Sequence, residues 1–341
     1  MQTLVLEKPG EFSLGQRPEP AMPGAGEALV RIHRIGVCGT DLHAFRGKQP
    51  FFTYPRVLGH ELGVEVMAIG VNVTNVSVGD HCAVEPYLNC GTCIACRRNR
   101  PNCCTRLQVL GVHIDGGHAS RLLLPANKLH PSKILSYEQL ALVETLGIGA
   151  HAVQRAALEP KESVLVIGAG PIGLSVLQFA LAAGARVLVM DANARRLEFC
   201  RSQFGVQDRF AAGPDAIEQI KHATNGDMPT AVFDATGNAE SMRGAFGLIA
   251  HGGRLVFVGL YQGEVTFNDP DFHRRETTLL GSRNSTPDDF RRILKQVEDQ
   301  EIDTGPWITH RCSLEQAAEQ FPHWLAPESA VLKAMIEIDH K

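Results

Sequence analysis

With 341 residues, 44% of them apolar, and a net charge of −4, the chain has material for two cores and no basic excess. That length is more than one core ordinarily supports, and the acidic balance argues against a nucleic-acid or anionic-membrane partner. The first ten residues, MQTLVLEKPG, carry charges at positions 7 and 8 and never develop the apolar run of a signal peptide, so a cytoplasmic location is expected.

Taken in chain order, the first 145 residues hold short β-type runs such as EALVRIHRIG and GVEVMAIG, punctuated by Gly and Pro, which predict an irregular, mostly β domain. Two patches there carry metal-ligand chemistry: GVCGTDLH, with Cys38, Thr40, Asp41 and His43, and VLGHE, with His60 and Glu61. Cys, His and carboxylate ligate catalytic zinc when a water or substrate completes the sphere. Taken singly, each reads as packing: a Cys between Val and Gly is ordinarily a small buried hydrophobe, and a single His an ordinary hydrogen-bonding residue.

Residues 89–104, NCGTCIACRRNRPNCC, crowd five cysteines together. A reducing compartment disfavours disulfides, and the spacing Cys90-x2-Cys93-x2-Cys96-x7-Cys104 suits a loop around tetrahedral Zn²⁺, with Cys103 as the spare. Four thiolates close the coordination sphere, so this zinc is expected to be structural and the chemistry to lie elsewhere. The basic run RRNR at 97–100 reads as a solvated loop, since nucleic-acid binding needs an extended basic face.

Ser163 to Ala185 contains no charged residue and is long enough to span a bilayer, but Gly168, Gly170, Pro171 and Gly173 divide it. The pieces predict a strand, VLVI, a glycine turn, and a buried helix, LSVLQFALAAG. The turn, IGAGPIGL, brings the backbone of Gly168, Gly170, Pro171, Ile172 and Gly173 to a helix N-terminus, where N–H groups receive a pyrophosphate. A second strand, RVLVMD, ends in Asp191, at the distance where an acid meets the adenosine ribose hydroxyls. That acid repels a 2′-phosphate, so NAD is favoured over NADP, with Arg195 and Arg196 keeping the alternative open. AVFDATG (231–237) and RLVFVG (254–259) continue the rhythm of a parallel doubly wound sheet.

The order GVCGTDLH, GHE, four-cysteine loop, then GAGPIG with an acid after the next strand resembles the zinc-dependent medium-chain dehydrogenases over essentially the whole chain. The resemblance implies a GroES-like, mostly β catalytic domain, residues 1–148 and 286–341, split around a Rossmann domain of 149–285, with substrate in the cleft between them. It implies one catalytic and one structural zinc and NAD as hydride acceptor. Cys38 and His60 match the fixed ligands of the catalytic zinc, and Glu61 an acid that ligates in some members and backs the metal in others. Glu144 stands where alcohol dehydrogenases have a cysteine and the polyol branch, similar to sorbitol dehydrogenase, has a glutamate. Thr145 replaces the proline usual after it, so direct and water-mediated ligation by Glu144 both stay open. Thr40 and His43 match a proton relay, Arg196 an arginine covering the adenine, Val258 to Leu260 the strand end beside the nicotinamide, and Arg283 a substrate-contacting arginine.

Three segments, QPFFTYPRVLGHE, LGVHIDGG and DFHRRETTLLGSRNSTPDDF, resemble bacterial sugar-acid dehydrogenases of the L-galactonate 5-dehydrogenase type. Oxidation of a polyol or sugar acid is therefore expected, with Arg283, Arg56 or Lys48 as candidate cations for a carboxylate. A simple alcohol dehydrogenase or an L-threonine-type dehydrogenase is the alternative. A Lewis-acidic zinc that lowers the pKa of a substrate hydroxyl, beside a nicotinamide, gives the same reaction class on chemical grounds. A homodimer or homotetramer is expected, with ETTLLGSRN pairing across a two-fold axis.

Overall fold

The computed structural model describes residues 1–50 and 52–340; Phe51, inside QPFFTYPRVLGHE, and Lys341 lie outside the described residues. The chain divides into two compact units, one of Met1–Thr145 with the segment from Thr286 onward, the other of Leu146–Ser285.

The first unit is built on a seven-stranded sheet. Along it run Ile308–Ser313, Lys333–Glu337, Glu27–Val37, Glu61–Ile69, His81–Val84 and Leu129–Pro131, with Arg121–Pro125 also paired to Glu27–Val37. The long strand Glu27–Val37 is rich in β-branched and apolar residues, and its register sets Ile32 opposite Val64, Ile35 opposite Leu62 and Gly36 opposite Glu61. Lys333–Glu337 pairs along the other edge of the same strand, Ala334 opposite Val37. The core beneath, from Leu4, Leu6, Ile32, Ile35, Leu58 and Leu62, is extended by rings: Phe12 and Phe321 lie 4.8 Å apart at their centroids, Phe12 and Phe45 5.4 Å.

The second unit is a six-stranded parallel sheet in the order Arg209–Ala211, Arg186–Asp191, Ser163–Ile167, Ala231–Asp234, Arg254–Phe257, Thr278–Gly281. Counted in chain order this is 3-2-1-4-5-6, the doubly wound arrangement that binds dinucleotides outside the carboxyl ends of its strands. The uncharged stretch 163–185 is the central strand Ser163–Ile167 followed by helix Pro171–Ala182, as its glycines predict. No helix among the described residues is long and apolar enough to cross a membrane.

Candidate functional site

Cys38 follows the strand Glu27–Val37 and is the N-cap of the short helix Gly39–Phe45. Asp41, fully buried, accepts the Cys38 backbone N–H at 2.9 Å and so sets the turn that presents the thiol. From the neighbouring strand come His60 and Glu61, both buried, and the Cys38 Sγ, a His60 ring nitrogen and a Glu61 oxygen all lie within 4.8 Å of one another. Glu61 fits only because its cross-strand partner is a glycine: a Cβ on Gly36 would stand 2.0 Å from Glu61 Oε2.

Glu144 lies buried on helix Tyr137–Ala156, close enough to His60 and Glu61 to be shifted by their charges, and its carboxylate accepts the Tyr87 hydroxyl. Burial first, and the Glu61 charge after it, hold the Glu144 carboxyl above its ordinary range, opposed by His60, Tyr87 and Lys333. Its oxygens are outside the tight Cys38, His60 and Glu61 group, so the geometry places Glu144 beside that group rather than in it.

Lys333 was not singled out from sequence. It opens the apolar strand KAMIE at 2% exposure, and its ammonium donates to both Glu61 oxygens at 2.7 and 2.8 Å, and to Thr145 Oγ1 at 3.2 Å. Burial alone would lower its pKa, but the charges of Glu61 and Cys38 more than offset that and keep it raised. A lysine leading the apolar run Ala334, Met335 and Ile336 is the available signal, since a buried ammonium needs a carboxylate. Asp41, within GVCGTDLH, stands behind His60: its Oδ1 is buried 3.7 Å from His60 Nδ1, and neither atom has a hydrogen-bond partner.

The site therefore gathers one thiol, one imidazole and three carboxyl groups around a single buried lysine. Burial lowers the His60 pKa, yet the negative charges of Asp41, Cys38 and Glu144 outweigh it and hold His60 well above its ordinary value. A negatively biased S, N and O donor set of this kind is suited to a divalent cation such as Zn²⁺. Thr40 is half-buried on the helix Gly39–Phe45, and His43 is exposed one turn further. His43 is held below its ordinary pKa by partial burial, then by Arg46 and Lys48, which keeps it a neutral proton acceptor near pH 7. A groove of about 820 Å³, lined by residues including Asn75, His130, Arg291 and Glu298, contains none of these groups.

The four cysteines of the loop also converge. Cys90, Cys93, Cys96 and Cys104 sulfurs lie within 4.8 Å of one another, with Cys93 Sγ 3.5 Å from Cys96 Sγ, while Cys103 is exposed and outside the group. Backbone N–H groups point at the sulfurs, Cys93 to Cys90 at 3.4 Å and Arg106 to Cys104 at 3.4 Å. Backbone donation, first from Thr92 to Cys90 and from Cys96 to Cys93, brings these thiols down to about 5 and about 6. Such thiols present thiolates at neutral pH, the form that binds metal. Arg97, Arg98 and Arg100 are exposed.

In the parallel unit, Gly168 adopts φ +92°, and a Cβ on Gly173 would stand 1.6 Å from the Gly168 carbonyl oxygen, so the turn closes only on glycine. Asp191 ends the neighbouring strand; its carboxylate accepts the N–H groups of Ala169 at 2.6 Å and Asn193 at 2.7 Å, which locks it beside the turn. Pro171 and Ile172 open the helix after it, and Arg196 Nη1 stands 3.5 Å from where a Gly170 Cβ would be. Asp234 ends strand Ala231–Asp234 and takes the Thr236 and Ser241 hydroxyls at 2.6 and 2.5 Å. Val258 binds the Asp234 carbonyl through its N–H at 2.9 Å, and Leu260 is 73% exposed at the strand's carboxyl end. Of the candidate cations, Arg56 is engaged by Thr53 Oγ1 at 2.8 Å and Asp115 at 3.4 Å, whereas Arg283 and Lys48 are exposed.

A parallel 3-2-1-4-5-6 sheet with this turn, joined in one chain to a β unit carrying a Cys, His and carboxylate cluster, defines a dinucleotide-dependent, metal-assisted oxidoreductase. Residues 171–299 match the zinc-binding dehydrogenase family and residues 24–134 the alcohol dehydrogenase GroES-like domain. The chain is 41% identical over 98% of its length, and 98% of the relative's, to L-galactonate-5-dehydrogenase of Escherichia coli K12. It is 30% identical to sorbitol dehydrogenase of Bacillus subtilis 168, covering 98% of this chain and 97% of that one. Among solved structures, an alcohol dehydrogenase of Escherichia coli CFT073 complexed with NADH superposes with TM-score 0.92 at 28% identity, covering 99% of each chain. The chain belongs to the zinc-binding, GroES-like alcohol dehydrogenase family. It is a zinc-dependent oxidoreductase of the dehydrogenase class.

Proposed function

We propose that the protein oxidises a secondary alcohol of a sugar acid or polyol, of the L-galactonate kind, with NAD⁺ as hydride acceptor. The observation that carries this reading is the cluster of half-buried Cys38 with buried His60 and Glu61, and Glu144 in place of cysteine beside it, in a chain 41% identical over 98% of its length to an L-galactonate-5-dehydrogenase. Cys38 and His60 would hold the catalytic zinc, with Glu61 and Glu144 as further carboxylate ligands, directly or through water; bound there, zinc would supply Lewis acidity toward the substrate hydroxyl.

The chain's own groups do the rest. Lys333 holds Glu61 by both oxygens, and Tyr87 holds Glu144 through its hydroxyl, so neither carboxylate swings freely in the pocket. Thr40 Oγ1 and the exposed His43 imidazole carry the released proton outward to solvent. The turn at Gly168, Gly170 and Gly173 takes the pyrophosphate, Asp191 the adenosine ribose and Arg196 the adenine. Val258 and Leu260 border the nicotinamide, and Arg283 contacts the substrate. Cys90, Cys93, Cys96 and Cys104 hold the structural zinc. A cytoplasmic homodimer or homotetramer completes the proposal; among the described residues the edge strand Thr278–Gly281 pairs only with Arg254–Phe257, leaving its other side for a partner copy.

The test is NADH appearance at 340 nm with L-galactonate, L-gulonate, sorbitol, galactitol, L-threonine and ethanol, each with and without prior zinc chelation. Chelation-sensitive turnover confined to sugar acids and polyols is expected. Turnover on ethanol or L-threonine alone would overturn the substrate class.

A further inference from the structure

The four-cysteine loop hangs from the short antiparallel pair Tyr87–Leu88 and Gln108–Val109. It has little core of its own: helix Ile94–Arg97 inside it buries none of its residues, and Ile94 is exposed. Its shape therefore depends on what joins the thiols and on its contacts with the sheet behind it.

One such contact is a charged group with no part in the reaction. Lys128, 5% exposed, donates from Nζ to Glu85 Oε1 at 2.5 Å and to Asn89 Oδ1 at 3.1 Å. Glu85, 1% exposed, is met on its other oxygen by His130 Nε2 at 3.1 Å, and its backbone N–H donates to the Lys128 carbonyl at 2.8 Å. An ammonium only donates, so Asn89 must turn its amide oxygen toward Lys128. Its NH₂ then faces the other way, and there Nδ2 lies 3.7 Å from Cys96 Sγ.

We propose that Glu85, Lys128 and Asn89 form a strut that orients the Asn89 amide as an N–H donor to Cys96 and so fixes that thiolate as a metal ligand. Asn89 is a positioning residue of the structural metal site. The inference rests on the reading of the four cysteines as a zinc site. Outer partners of this kind orient metal ligands, and losing one costs about 10–100-fold in metal affinity.

The experiment uses the full-length protein and follows zinc release to a chromophoric chelator, with total zinc measured by mass spectrometry; Cys93→Ser identifies the release phase that belongs to the cysteines. Asn89→Ala removes donor and acceptor together and is expected to speed that phase about 10-fold. Asn89→Asp keeps, and strengthens, the pairing with Lys128 but aims a carboxylate with no donor at the thiolate; its release is expected to be faster still, about 100-fold. If Asn89 served only as a partner for Lys128, the order would be reversed, with Asn89→Asp holding zinc as the wild type does. That result, or unchanged release in both variants, overturns the strut. If zinc is absent from the wild-type cysteines, so that Cys93→Ser changes neither content nor release, the underlying reading fails as well, and the wild-type zinc content separates the two failures.

Discussion

Replacing His118 by leucine isolates one buried charge equilibrium. The His118 ring is fully buried between Phe12 and Phe321, 6.5 and 6.1 Å away by centroid, and neither ring nitrogen has a hydrogen-bond partner. It packs over Gly59, where a Cβ would come within 2.6 Å of its Cδ2. Burial first, then the charge of His60, pushes its pKa from 6.5 down to about 3. In the unfolded chain the ring takes up a proton near 6.5, whereas in the folded chain it stays neutral down to about 3. The unfolded state therefore binds more protons in that window, and stability from His118 is fully present above the unfolded pKa and is lost as pH falls toward the folded one. At about 1.36 kcal/mol per pH unit, the roughly 1.5 units between 6.5 and pH 5 amount to about 2 kcal/mol. At pH 7 the H118L variant, of similar volume and with no polar atoms to leave unpaired, is expected to equal the wild type or exceed it by about 1 kcal/mol. Urea unfolding of both proteins at pH 7, 6 and 5 gives the comparison, because acid loss at every other group is common to the two. The wild type should lose about 2 kcal/mol more than H118L between pH 7 and pH 5. A wild-type-to-variant difference independent of pH would refute the reasoning.

Lys333→Met strands the buried Glu61 carboxylate and should cost about 3–5 kcal/mol in unfolding free energy, with Lys333→Arg recovering part of it; equal stability of wild type and Lys333→Met would show the pair to be dispensable. Gly173→Ala forces a Cβ onto the Gly168 carbonyl and should abolish NADH binding by fluorescence titration while the β unit keeps its zinc. Cys93→Ser should lower zinc content by about one ion per chain and lower the melting temperature, whereas Cys103→Ser should change neither.

The two-part architecture, the glycine turn, the acid at the end of RVLVMD and the four-cysteine spacing were all legible in the residues, because each is a local pattern. A turn that closes only on glycine, a strand of β-branched residues and a thiol repeat every third residue impose their chemistry within a few positions of themselves. The structure added the partners that come from far along the chain. Lys333 reaches Glu61 across 272 positions because Lys333–Glu337 and Glu61–Ile69 flank the same strand, and Gly36 admits the carboxylate only through cross-strand register. Asp41 behind His60, Tyr87 on Glu144 and Lys128 against Asn89 arise in the same way. A buried ammonium or carboxyl group must find its counterpart wherever packing delivers one, and no spacing rule in the chain records that pairing; only the assembled sheet decides it.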